Sequence, residues 1–225
     1  MDFPKLFGFM VTNQAKIPII QNMSKYQIGT VLGHRSEEHL FVMKMVMALY
    51  AKHKKPIIIQ LYNIKKFFDR ESVIDGMDAL YNSGVRGKLY RLLYMMNKDT
   101  RIRVNTGVGM TDEADTGENI GQGTGEGAII SAANIDDGVT NIFKHSSYEI
   151  SYGEQMLNPL LFQDDIARIC DSPEAAQHGN ELINHVMESK LLDFNLDKSV
   201  YIVIGGKSVR QSLEKKLEEV PLTLA

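Results

Sequence analysis

The chain has 225 residues, 44% hydrophobic and 24% charged, enough to bury a sizeable core as one domain or two small ones. Its net charge of −3 does not advertise nucleic-acid binding, which usually brings a basic surface. No apolar stretch reaches the ~18 residues of a membrane span, and the single cysteine, Cys170, excludes an internal disulfide and points to a reducing, intracellular compartment.

Residues 1 to 35 carry few periodic signals and read as an irregular lead-in without a targeting pattern. Ser36 is a candidate N-cap, with Glu37 and Glu38 at the positive end of a helix and Lys52, Lys54 and Lys55 at the negative end. The middle of that helix, LFVMKMVMALY, is apolar nearly all round and predicts substantial burial. Pro56 ends it. IIIQLY, residues 57 to 62, is a β-branched run of the length of a central strand, closed by Asn63. Ser72 opens the next helix, with Asp75 in capping-box position and Gly84 as its stop. Another helix runs from about Gly87 to Asn97, with Leu89, Leu92, Leu93 and Met96 on one face.

RIRVNT, residues 101 to 106, alternates like a strand, and the glycine-rich, acidic span from 107 to 127 reads as loop. AIISAANIDDGVTNIF returns to helix. LNPLLFQDDIARI, residues 157 to 169, reads as a strand, a tight turn and a returning strand. Ser172 followed by Pro173 predicts a helix to about Leu192. The strand YIVIG and a charged helix from about Ser208 to Glu219 complete the chain. Strands and helices mix without strict βαβ alternation, which favours an α+β fold.

Charge is unevenly distributed. Arg86, Lys88, Arg91, Lys98, Arg101 and Arg103 form a basic block, and no Lys or Arg occurs between Asn105 and Phe143, where Asp112, Glu113, Asp115, Glu118, Glu126, Asp136 and Asp137 accumulate. Two such blocks predict two faces of opposite potential.

Asp164 and Asp165 sit together in the turn of the hairpin. On its own, an aspartate pair in a turn is an ordinary solvated feature. The sharper reading is a Mg²⁺ site, in which carboxylates and substrate phosphates share the ion. If the strand ending at Asn63 lies beside this hairpin, the three side chains meet at one edge of a sheet. Between them in sequence lies GENIGQGTGEG, with enough glycine for a backbone to approach a nucleotide closely.

Five segments carry a further signal. QIGTVLGHRSEEHL, residues 27 to 40, has the form Gln-x-Gly followed by a basic-Ser stretch, and LYNIKKFFDRES, residues 61 to 72, ends a polar-to-aromatic run in Phe-Asp. IGQGTGEG presents Gln-Gly before a helix, FQDD is an aromatic-x-Asp-Asp hairpin, and NLDKSVYIVIG bears a lysine ahead of a strand. In that order, over about residues 20 to 205, these segments resemble the reverse transcriptase domain, especially that of non-LTR retroelements.

The resemblance implies a palm built as an antiparallel sheet backed by helices. Residues 1–55 would be the lead-in and partial fingers, 56–225 the palm-like catalytic domain, and the thumb absent, with the missing parts supplied by a larger polypeptide or a partner chain. It implies an RNA template, a DNA primer and deoxynucleotides, joined by attack of a 3′-hydroxyl on an α-phosphate. Mg²⁺, or Mn²⁺ in its place, would serve as a pair of ions about 3.5–4 Å apart. By the same resemblance Asp164 and Asp165 supply metal carboxylates, and Phe68 closes against the sugar's 2′ position. Gln122 and Gly123 contact the nucleotide or template, and Lys198 lies near the triphosphate. Read without the resemblance, Phe68 is a core aromatic, Lys198 a solvated charge and Gln122–Gly123 a plain turn.

One departure bears on activity. The family's first motif opens with an aspartate, and this chain has Asn63. An amide oxygen can ligate a cation but brings no charge, so weak or absent polymerase activity is expected. The alternative is a non-catalytic palm-fold protein that binds nucleic acid or a protein partner.

Overall fold

The computed structural model describes residues 3–98, 100–115, 120, 124–144, 150–152, 155–157, 159–205, 211 and 215. In chain order the elements are α1 (Phe3–Asn22), α2 (Ser36–Lys52), β1 (Ile57–Tyr62), α3 (Phe67–Arg70), α4 (Val73–Asn82), α5 (Gly87–Asn97), β2 (Arg101–Ile102), β3 (Asn105–Thr106) and β4 (Gly109–Met110). There follow β5 (Ala114–Asp115), α6 (Gly125–Phe143), β6 (Ile150–Tyr152), β7 (Gln155–Leu157), β8 (Leu160–Phe162), β9 (Asp165–Cys170), α7 (Pro173–Ser189) and β10 (Val200–Ile204). The fold is α+β, with an antiparallel sheet backed by helices. The residues form two compact units, 1–23 with 66–134 and 24–65 with 135–225. This partition follows contacts. The sequence division at residue 55 follows family segments.

The second unit holds the main sheet, ordered β10-β1-β9-β8 with every neighbouring pair antiparallel. Ile57, Ile58 and Ile59 are buried because β1 is central and needs apolar side chains on both faces. Ile58, Cys170 and Val203 pack with Ala175 and Ala176 of α7 on one face. Ile57 and Ile169 pack with Val46 and Tyr50 of α2 on the other. Burial pushes the Cys170 thiol up to about 12, so it is an inert core thiol. Ser172 caps α7 by accepting from the Ala175 N–H at 3.1 Å, with Pro173 at the first helical position as expected.

The first unit is mostly helical. Val11, Ala15 and Ile19 of α1 join Val73, Met77 and Leu80 of α4, Leu93 of α5, and Ile129, Ile130 and Ala133 of α6 in one core. Gly76 makes this packing feasible, since a Cβ there would come within 2.5 Å of Ile130 and 2.7 Å of Ile120. Ser72 accepts from the Ile74 N–H, and Gly84 takes φ +89 where α4 ends, both as the sequence predicts.

Several expectations are corrected. The lead-in is not irregular: residues 3–22 form α1. Its first turn holds no acidic residue and its last no basic one, and Pro18 lies inside the helix, so burial of Val11, Ala15 and Ile19 helps to hold it. The N-cap of α2 is Arg35 rather than Ser36, with the Glu38 carboxylate accepting the Arg35 N–H at 3.1 Å. α2 is also less buried than its composition predicts. Val46 and Tyr50 are covered, whereas Leu40, Met45 and Phe41, the last 64% exposed, are not.

RIRVNT divides between two short hairpins, β2–β5 and β3–β4. Among the described residues the two charge blocks are partly joined. Arg101 and Arg103 both reach Glu113, at 3.3 and 2.8 Å, across the β2–β5 hairpin. Asp136 is buried, accepting from the Ser24 N–H and the Thr140 hydroxyl at 2.8 Å each. Among the described residues no helix is long and apolar enough to cross a membrane. The charged helix expected from Ser208 falls almost wholly outside the described residues.

Candidate functional site

The β8–β9 hairpin is the tightest kind that an antiparallel pair allows. Phe162 pairs with Asp165, leaving Gln163 and Asp164 as a two-residue turn. Such turns favour a positive φ, and Gln163 adopts φ 57 without being glycine. Asp164 is half-buried beside the turn, and Asp165 begins β9 with its side chain more exposed.

The neighbouring strand ends one residue before Asn63. β1 and β9 pair as far as Tyr62 and Ile166, and Asn63 and Asp165 are the next residues on the two segments. The Asn63 backbone is fixed from the following segment, since its N–H donates to Ser199 Oγ at 3.1 Å and its carbonyl accepts from the Asn195 N–H at 2.8 Å. Lys198 is exposed in the turn between those two residues, closed by its own N–H on the Asn195 carbonyl.

Electrostatically the tip is short of positive charge. Desolvation raises the pKa of both aspartates, and for Asp164 the nearby Asp165 charge adds to the rise against a lowering bond from its own backbone N–H. Among the described residues no Lys, Arg or His forms an ion pair with either carboxylate. Nor does any group of three or more His, Cys, Asp or Glu among them form a metal cluster. The side-chain oxygens that chain order puts at this end of the sheet are two carboxylates and, one residue past β1, the Asn63 amide. All are hard donors of the type that Mg²⁺ and Mn²⁺ accept, so the residues fit a divalent cation, with one formal charge fewer than three carboxylates would give.

The other expected site residues are distributed differently. Phe68 lies in α3 of the first unit, half-buried, its ring edge-to-face against the buried Phe67 at 5.5 Å. Gln122 and Gly123 lie outside the described residues. Sequence reasoning gave no role to Gln27, which is buried against the aspartate turn. The signal that could have found it is the Gln-x-Gly spacing of residues 27–29.

No protein-family model matches the chain, and no curated protein does. Solved structures do match. The chain is similar to telomerase from Candida albicans, in complex with a TWJ fragment of telomeric RNA, at TM-score 0.67 and 12% identity, covering 86% of this chain and 34% of that one. It is also similar to apo telomerase from Candida tropicalis, truncated from its C-terminal domain, at TM-score 0.57 and 12% identity, covering 90% and 40%. At such identity the likeness is one of fold, and the chain spans between a third and two-fifths of those relatives. Telomerase is a reverse transcriptase, so the fold is reverse transcriptase-like.

Proposed function

We propose that the chain is a reverse transcriptase domain of retroelement origin, of the non-LTR type, whose nucleotidyl-transfer site is weakened by Asn63. The observation that carries this reading is the end of the β1–β9 ladder, where Tyr62 pairs with Ile166 and the next residues are Asn63 and Asp165, the latter beside Asp164 in the hairpin turn. It pairs strands about 100 residues apart in sequence, which supports the arrangement that the resemblance implies. The telomerase-like fold supports the reverse transcriptase part of the reading, and the retroelement type rests on the motif resemblance alone.

In this reading Asp164 and Asp165 hold Mg²⁺ or Mn²⁺, with Asn63 as a neutral third oxygen. Such ions, when bound, supply the charge that stabilises the attacking and leaving oxygens of phosphoryl transfer. The chain's own part is to fix those donors. β1 and β9 set the spacing through the ladder, and the bonds of Asn195 and Ser199 anchor Asn63. Lys198, on the turn they frame, is proposed by resemblance to lie near the triphosphate and assist the leaving pyrophosphate. Phe68 is proposed to exclude the ribose 2′-hydroxyl, and Gln122 and Gly123 to meet the nucleotide or template. The partners are an RNA template, a DNA primer and deoxynucleotides, with the remaining polymerase parts coming from a longer polypeptide or a second chain, inside the cell.

The second reading, a palm fold that binds nucleic acid or a protein partner without catalysis, is favoured by the missing charge at Asn63. Primer extension on an RNA template separates the two. Asn63→Asp should raise extension on the order of 10²–10³-fold, the scale of restoring one preorganised charge. Adding Asp165→Asn to that chain should remove the gain. Equal extension by the wild type and Asn63→Asp contradicts the weakened-site reading, and no extension by either supports the non-catalytic one.

A further inference from the structure

We infer that Gln27 is the positioning residue of the aspartate turn: its side-chain amide clasps the backbone of Gln163 and so sets how Asp164 and Asp165 approach a divalent cation. The inference rests on the proposed metal-binding role of the pair.

The geometry is that of a residue pair in a sheet, with one side chain standing in for a strand. Gln27 Nε2 donates to the Gln163 carbonyl at 3.0 Å, and Gln27 Oε1 accepts from the Gln163 N–H at 2.9 Å. The same oxygen accepts from the Gly29 N–H at 3.0 Å, which orients the amide. Gln27 is 1% exposed, so this side chain is part of the interior. On either side the backbone is tied as well. The Leu161 N–H donates to the Tyr26 carbonyl at 2.8 Å, and the Ile28 N–H donates to the Leu161 carbonyl at 3.0 Å.

Gly29 completes the clasp by being small. A Cβ at that position would fall 2.3 Å from the Gln163 nitrogen and 2.8 Å from its Cγ, so any larger residue drives the turn away. The two roles account for the Gln-x-Gly spacing: one residue grips the turn, and two positions on the chain must come close enough for the grip to work.

A grip is needed at Gln163 because of its conformation. With φ 57 a non-glycine residue occupies a region that the backbone leaves readily, and it persists where surroundings over-determine it. Gln27 meets both backbone polar groups of that residue. Asp164 and Asp165 follow directly, so any relaxation of Gln163 displaces the carboxylates. Gln27 touches no reacting group. Its effect is exerted through the turn.

The test is NMR on the full chain, reading two quantities: exchange of the Gln163 and Gly29 amides, and the Mn²⁺ concentration that half-broadens the Asp165 resonance. In Gln27→Ala both amides should exchange at least ~10-fold faster while Ile59 in β1 is unchanged, and the Mn²⁺ midpoint should rise about 10-fold. Adding Gln163→Gly should return the midpoint to within about threefold of wild type, since glycine holds a positive φ without help. A merely structural role for Gln27 would not be rescued by that substitution. Gln27→Glu keeps the size and loses the donor, and serves in the same assays if Gln27→Ala does not fold.

Unchanged exchange at Gln163 overturns the clasp. Faster exchange with an unchanged Mn²⁺ midpoint overturns its positioning role. Mn²⁺ binding by none of the chains, Asn63→Asp included, overturns the metal reading of the pair and the positioning role with it, while the exchange data still decide whether the clasp exists.

Discussion

Two polar clusters stand on the same pair of strands, and the fold treats them oppositely. Toward α7, Arg168 donates to Gln60 Oε1 at 2.9 Å and the Ala175 carbonyl at 2.8 Å, with its guanidinium 5.4 Å from the centre of the Phe143 ring. Gln60 donates to the Ala176 carbonyl and to Asn180 Oδ1, which also accepts from the Tyr62 hydroxyl at 2.5 Å. Arg168 is only 3% exposed, and burial raises the Tyr62 pKa, keeping that phenol a neutral donor. At the end of the same strands lie Asn63 and the pair Asp164 and Asp165, whose carboxyl pKa values desolvation raises and which have no cationic side chain paired with them among the described residues. A buried polar group is costly unless its partners are internal, and the first cluster has them. The second is left with valence that a ligand can satisfy. Polar residues one and three positions apart, Tyr62 and Gln60 on β1 against Asn63 just past it, thus divide into those that hold the sheet and those at its end.

The comparison breaks most visibly at Arg168. Arg168→Met should destabilise the chain by about 3 kcal/mol, because Gln60 Oε1 and the Ala175 carbonyl lose a buried donor. Chemical denaturation with an unchanged slope checks it, and a change below about 0.5 kcal/mol would mean that the network is dispensable. Asp165→Asn, three positions before Arg168 on β9, should shift stability by no more than about 0.5 kcal/mol in metal-free buffer. A loss comparable to that of Arg168→Met would place the aspartate in the structural class.

The same contrast explains what could be read from the sequence. IIIQLY, the Ser72 and Ser172-Pro173 caps and the FQDD turn are local signals, and each marks its element where the structure has it. α1 was not legible, because Val11, Ala15 and Ile19 are held in part by their partners in the core. The apolar surround of α2 predicted burial, yet Leu40, Phe41 and Met45 remain uncovered, since composition states which residues tolerate burial and not which are buried. At the site, adjacency of Asp164 and Asp165 was visible at once, and Asn63 joined them through motif order. The Gln27 clasp was not visible, because its bonds span 136 residues and depend on the φ of Gln163.

The central claim is that the hairpin tip is a cation site limited by the neutral Asn63. Calorimetric titration of Mn²⁺ into the wild type, Asn63→Asp and Asp165→Asn tests it most directly. The account predicts binding at least ~10-fold tighter in Asn63→Asp, from one added carboxylate, and loss of binding in Asp165→Asn. Equal affinity in all three chains would contradict it.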